Sequence, residues 1–134
     1  MSKRTGYVAW SELMTHDTKA VRDYYAATCG WTFQTMKMEN GQDYFVAMRD
    51  GQGVAGIMDM AGIPGYENMP AHWFTYLGVA DVDAEVAKTE EMNGTVVRPP
   101  FDVPGIGRIA LVKDPGGAPF GFITQAEEAD EMPA

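Results

Sequence analysis

Cysteine is nearly absent from this chain: Cys29 is the only one in 134 residues. No intrachain disulfide can form, and nothing suggests a secreted disulfide framework. Basic residues are scarce as well. Ten Lys and Arg stand against nineteen Asp and Glu, for a formal charge of −9. Nucleic-acid binding needs Lys and Arg to displace phosphate counterions, so the balance argues against that partner. An acidic surface is compatible with neutral or cationic small ligands, and otherwise serves solubility. No apolar run approaches the roughly 20 residues that a membrane-crossing helix needs. Residues 1–5 lead into a strand-like run rather than an apolar signal segment, so the expectation is a cytoplasmic protein with no membrane partner.

What the chain does have is a core and a repeat. Hydrophobic residues make up 46%, enough to pack the interior of one compact domain. The same pattern is written twice. Trp10 falls on Phe74, Leu13 on Leu77, Asp17 on Asp81 and Gly30 on Gly94, each pair 64 residues apart. The same offset carries Phe45 to Ile109, Asp50 to Asp114 and Gly53 to Gly117. Two copies of one unit imply pseudo-two-fold packing with a shared cleft.

Each copy reads β-α-β-β-β. In the first, Tyr7 to Leu13 suits a strand, Asp17 an N-cap and Gly30 a left-handed C-cap. Trp31 to Met38, Tyr44 to Met48 and Val54 to Met60 follow as strands, with turns at Asn40-Gly41 and Asp50-Gly51. In the second, His72 to Val79 is the first strand and Asp81 caps a helix that Gly94 ends. Thr95 to Arg98, Arg108 to Val112 and Pro119 to Thr124 are its later strands. Pro99 to Ile106 reads as an excursion, and Asp114-Pro115-Gly116-Gly117 as a turn. The helices are expected over 17–29 and 81–93. Module 1 is expected over 6–60, a Gly- and Pro-rich linker over 61–70, module 2 over 71–125 and an acidic tail over 126–134.

The matching residues are Glu12-Leu13 with Thr15-His16-Asp17, Tyr24-Tyr25 and Cys29-Gly30-Trp31. The second half adds Val79-Ala80-Asp81-Val82-Asp83-Ala84 and Asp114-Pro115-Gly116-Gly117-Ala118. With these residues the chain resembles the vicinal oxygen chelate superfamily, which includes glyoxalase I, extradiol dioxygenases and bleomycin-resistance proteins. The resemblance spans residues 6–125 and is strongest to the glyoxalase-like bacterial subgroup. It implies an α+β fold of two tandem βαβββ modules whose curved sheet surrounds a central cavity. It also implies that any metal is held by His, Gln or Glu on the first and last strand of each module. Counting from the landmark Asp residues puts those positions at Trp10, Ile57, Phe74 and Gly121. None of the four offers a carboxylate, imidazole or thiolate lone pair. No metal and no cofactor is therefore predicted, and a divalent ion is disfavoured.

Residues two apart on a strand share a face. With Trp10 and Phe74 turned inward, Glu12, His72 and Tyr76 turn inward too. Ile57 inward carries Asp59 with it, and Gly121 joins them. The expected ligand-binding cavity is an aromatic box of Trp10, Phe74 and Tyr76, rimmed by Glu12, His72 and Asp59. A buried carboxylate costs free energy unless it is paired, so Glu12 is the leading candidate for a ligand anchor or base. His72 and Tyr76 are the other acid–base candidates, although a solvated histidine at a strand start is the stronger reading of His72. A Glu12–His72–Asp59 metal site would need three side chains to converge and is set aside. Cys29, at the negative end of a helix, reads as a structural thiol.

Two readings of function stand. One is a protein that binds a small organic molecule without the usual metal, like the drug-resistance branch. The other is an enzyme of lyase, isomerase or dioxygenase type using Glu12 as acid or base, with or without a non-standard metal site. A homodimer is expected in either case, because exposed sheet ends favour pairing.

Overall fold

The computed structural model describes residues 4–38, 41–61 and 65–126. Among them the elements run β1 (Tyr7–Thr15), α1 (Thr18–Cys29), β2 (Thr32–Lys37), β3 (Asp43–Arg49) and β4 (Gln52–Asp59). Then come β5 (His72–Gly78), α2 (Val82–Glu91), β6 (Thr95–Val103), β7 (Gly107–Lys113) and β8 (Pro119–Gln125). This is an α+β fold of two tandem β-α-β-β-β modules. Asn40 of the expected first hairpin turn, residues 62–64 of the expected linker and residues 127–134 of the expected tail lie outside the described residues.

Both helices start on an aspartate. The Asp17 side chain accepts the Ala20 N–H at 3.0 Å, and the Asp81 side chain accepts the Ala84 N–H at 3.2 Å. Each cap satisfies a donor that the first helical turn leaves open. The ends differ. Gly30 takes the left-handed conformation at φ 71° and closes α1 onto the Ala26 carbonyl. After α2 the left-handed residue is Asn93 at φ 72°, not Gly94. Gly94 is needed for another reason: a β-carbon there would come within 2.6 Å of the Thr89 methyl and 2.7 Å of the Lys113 carbonyl oxygen.

The first four strands are ordered β2-β3-β4-β1 and the second four β5-β8-β7-β6. In each set the first strand runs parallel to the last and the middle pairs are antiparallel. Asp50 and Gly51 both have positive φ, 52° and 79°, and join β3 to β4 as a two-residue hairpin. The β7–β8 connection is longer. There the Asp114 carboxylate accepts from the backbone N–H of Gly116 at 2.9 Å and of Ala118 at 3.0 Å. Strand β6 continues through Pro99 and Pro100, where the sequence suggests an excursion. It is the outermost strand of its set and shifts register on both sides of Arg98. An edge strand with bulges tolerates the missing N–H groups.

Each module buries its own apolar cluster. Leu13, Phe45 and Ile57 form one, with Val21, Tyr25 and Phe33 packed against it. Val79, Val82 and Ala110 form the other, with Val86 and Phe122. These clusters revise the repeat. Phe45 pairs with Ile57, and Ala110 pairs with Phe122. The helix-facing residues of the third and fourth strands are thus 65 residues apart, from 45 to 110 and from 57 to 122, not 64. β6 has nine residues against six in β2 and carries two register shifts, so it has room for the extra residue.

By contacts the chain divides into two compact units. Among the described residues, 10–74 form one, and 4–9 with 75–126 form the other. The boundaries therefore fall inside β1 and β5 rather than in the stretch between modules. The N-terminal part of β1 explains its own placement. The Gly6 N–H donates to the Gly78 carbonyl at 2.7 Å, and the Tyr7 ring occupies the space that a β-carbon on Gly78 would need. The Arg4 guanidinium stacks over that ring at 3.9 Å.

Candidate functional site

The site is built on β1, β3 and β4 of the first module, on the side away from α1. Register decides which residues share that side. Glu12 lies beside Gly56 and Leu13 beside Ile57. Leu13 and Ile57 are in the core cluster with Val21 and Tyr25 of α1, so Glu12, Gly56 and, two residues back, Trp10 face the other way. On β3, Val46 lies beside Gly56 and Tyr44 beside Met58, which places both on the Glu12 side.

Two glycines on β4 make room for large side chains. A β-carbon on Gly56 would overlap the Tyr44 hydroxyl and approach Trp10 Nε1 to 3.0 Å. One on Gly53 would meet Val46 Cγ1 at 3.2 Å and Trp10 Cη2 at 3.5 Å. Glycine inside a strand often marks such a close approach. The indole and the phenol therefore lie low over the β4 backbone.

Their polar atoms form a chain. The Trp10 indole N–H donates to the Tyr44 hydroxyl at 3.1 Å. The Tyr44 hydroxyl hydrogen-bonds in turn with the Glu12 carboxylate. Glu12 is only 7% exposed, and the bond supplies part of what a buried carboxylate loses when it leaves water. Burial raises the Tyr44 pKa far above the ordinary 10.0, and the neighbouring Glu12 charge and the bond to it push the same way. The Trp10 N–H opposes them. The phenol is accordingly neutral, and its proton is available for Glu12.

The residues expected to line a cavity are distributed as follows. Trp10 and Glu12 share the face just described. Ile57 does not: it is fully buried in the core beneath α1. The one-residue change of offset inverts the side of the strand, and Gly56 stands where Ile57 was expected. Asp59 ends β4, and its carboxylate accepts the Ala61 N–H at 2.8 Å in a turn. His72 Nδ1 donates to the Pro70 carbonyl at 2.8 Å, and its ring meets Phe74 edge-on at 6.5 Å. Tyr76 and Gly121 lie side by side on β5 and β8, in the other compact unit. Tyr44 was not among the expected residues. The signal that points to it is the pair Gly53 and Gly56, which reveals that something large crosses β4.

The metal positions of the resemblance do not fit an ion. An indole N–H only donates, and the one on Trp10 is already committed to Tyr44. Gly56 has no side chain to offer. Among the described residues, no three His, Cys, Asp or Glu side chains gather as a metal-binding group.

A separate groove of about 370 Å³ lies on the helix side of the same unit, lined by Ser11, Trp31, Val54, Ala55 and Trp73. Trp31 stacks on Tyr25 at 5.2 Å, and Trp73 meets both rings edge-on. Its Ser11 and Ala55 alternate along β1 and β4 with Trp10, Glu12 and Gly56 of the opposite face.

Comparison with known proteins agrees with this architecture. The chain is 35% identical over 124 residues to the "Putative glyoxylase CFP32" of Mycobacterium tuberculosis, covering 92% of this chain and 46% of that protein. It is 33% identical over 125 residues to the anthracycline biosynthesis protein DnrV of Streptomyces peucetius, covering 86% and 46%. The chain thus spans less than half the length of these curated relatives. Among solved structures, a methylmalonyl-CoA epimerase of Streptomyces coelicolor superposes with a TM-score of 0.67 at 21% identity, over 92% of this chain and 99% of that one. Homoprotocatechuate 2,3-dioxygenase from B. fuscum superposes with a TM-score of 0.65 at 19% identity, over 92% and 33%. At these identities the two structures speak for the fold alone. The family model for the Glyoxalase/Bleomycin resistance protein/Dioxygenase superfamily matches residues 6–122, and the chain belongs to that superfamily.

Proposed function

We propose that this chain binds a small organic molecule against the face carrying Trp10, Tyr44 and Glu12, without a metal at the family's usual positions. The observation that carries the reading is Glu12: a buried carboxylate, hydrogen-bonded to a neutral phenol, on the sheet side opposite the helix core. Such a group anchors a hydrogen-bond donor or a cationic centre of a ligand. Trp10 contributes an aromatic platform beside it. The relative named for anthracycline biosynthesis supports a flat, aromatic ligand class.

A second reading keeps the site and adds turnover. The relative named as a glyoxylase supports it. A carboxylate held in place in a low-dielectric setting is suited to taking a proton from a carbon acid. In that reading Glu12 is the base, and Tyr44 keeps its own proton.

Glu12→Gln separates both readings from a purely structural role. Gln keeps the volume and the hydrogen bonding to Tyr44 but loses the charge. The expected outcome is a nearly unchanged melting temperature, with a co-purifying ligand seen by native mass spectrometry in the wild type and absent from the variant. A large fall in melting temperature with ligand retained refutes the assignment. Stoichiometric metal in the same spectra refutes the metal-free part. Exchange of a ligand carbon-bound hydrogen for solvent deuterium, lost in Glu12→Gln, decides for the enzyme.

A further inference from the structure

We infer that Tyr44 is a positioning residue: its hydroxyl, held by the Trp10 indole, fixes the orientation of the Glu12 carboxylate on the β1–β3–β4 face. This deepens the proposed function, because the carboxylate so held is the one assigned to the ligand.

With Glu12 ionised, the polarity of the chain has only one solution. An indole N–H can only donate, and an ionised carboxylate can only accept. The hydroxyl between them accepts from Trp10 at 3.1 Å and so directs its single proton to Glu12. The environment that keeps the phenol neutral keeps this donor loaded. The last torsion of a glutamate side chain is otherwise broad and roughly two-fold. A directed donor from a rigid aromatic ring removes that freedom.

The backbone is shaped to keep the ring there. Gly56 leaves empty the space that the Tyr44 hydroxyl fills, and Gly53 does the same for the far edge of Trp10. Tyr44 sits beside Met58 in the β3–β4 ladder, in register with its neighbour pair Phe45 and Ile57 in the core. Packing on the helix side therefore fixes the strand from which Tyr44 reaches across. A mere space-filling ring would need the gap at Gly56, since a β-carbon there would also overlap Tyr44 Cζ, but it would not need a hydroxyl bonded to the Trp10 indole.

The test is spectroscopic and needs no ligand. The infrared carboxylate stretch of Glu12 is isolated by subtracting the spectrum of Glu12→Gln. Tyr44→Phe keeps the ring and removes the donor, so the Glu12 band should shift and the Trp10 indole N–H resonance should move with it. Global replacement of tyrosine by 3-fluorotyrosine, a stronger donor, should shift the Glu12 band in the opposite direction. If Tyr44→Phe does not fold, the fluorotyrosine protein decides alone. A Glu12 band unmoved in the folded variant or in the fluorotyrosine protein overturns the inference. Ligand capture by the wild type and its loss in Glu12→Gln are read separately, so an unmoved band with intact capture overturns the positioning role and leaves the proposed function standing.

Discussion

Gly56 of the first module lies beside Glu12, and Gly121 of the second lies beside Tyr76. The two glycines hold matching places in their hairpins, 65 residues apart. On the neighbouring strand the first module has Tyr44, and the same step of 65 leads to Ile109 in the second. One copy thus sets a phenol, an indole and a carboxylate around its glycine. The other pairs the corresponding glycine, Gly121, with Tyr76 and Leu111 on its neighbouring strands. A repeated backbone plan needs the caps, turns and apolar alternation in both copies. Polar chemistry is not part of that requirement, and a single copy can carry it.

Three measurements sharpen or break the contrast. The largest effect is expected at Ile57, which is fully buried. Ile57→Ala should cost about 2–5 kcal/mol in denaturant unfolding, the range for a core truncation, and leave the Glu12 infrared band in place. A small cost with a displaced band would return Ile57 to the Glu12 side and restore the offset of 64.

The second effect follows from the neutral Tyr44. Its pKa is raised in the folded protein, so above the ordinary value of 10.0 the unfolded chain releases the phenolic proton first. The folded state then binds more protons, and stability falls as pH rises. Below pH 10 the contribution is complete. Above it, the wild type should lose about 1.4 kcal/mol per pH unit more than Tyr44→Phe. Parallel alkaline curves for the two proteins would show that the phenol is not held neutral.

The smallest effect concerns what the copies share. Asp17→Ala and Asp81→Ala should each cost about 1 kcal/mol, the value of a lost N-cap, and the two costs should agree. Strongly unequal costs would mean that the caps do different work in the two modules.

Much of the fold was legible in the sequence because its signals are local. Asp17 and Asp81 cap helices by bonding three residues ahead, and Asp50-Gly51 turns a hairpin within two residues. The continuation of β6 through Pro99 and Pro100 was hidden, since only its place at the edge of a four-strand set makes those prolines tolerable. The face of Ile57 was hidden for a sharper reason. Alternation has a period of two, so one extra residue in the second copy is enough to reverse an assignment made by counting between copies. Glu12 was found because it stands on the same strand as Trp10. Tyr44 was missed because its partnership with Glu12 crosses from β3 to β1 over β4, and no spacing along the chain records that.

The contacts of residues 4–9 bear on how the chain comes to be folded. These residues emerge during synthesis ahead of Gly78, to which Gly6 is bonded and over which Tyr7 packs. At ~5–20 residues per second the ribosome takes roughly 3–14 s to cover that interval. Throughout it Gly6 and Tyr7 wait for their contacts with Gly78, and residues 10–74 are complete by its end. The N-terminal end of the first strand is thus a late-closing clasp, fastened only when the second module exists to receive it.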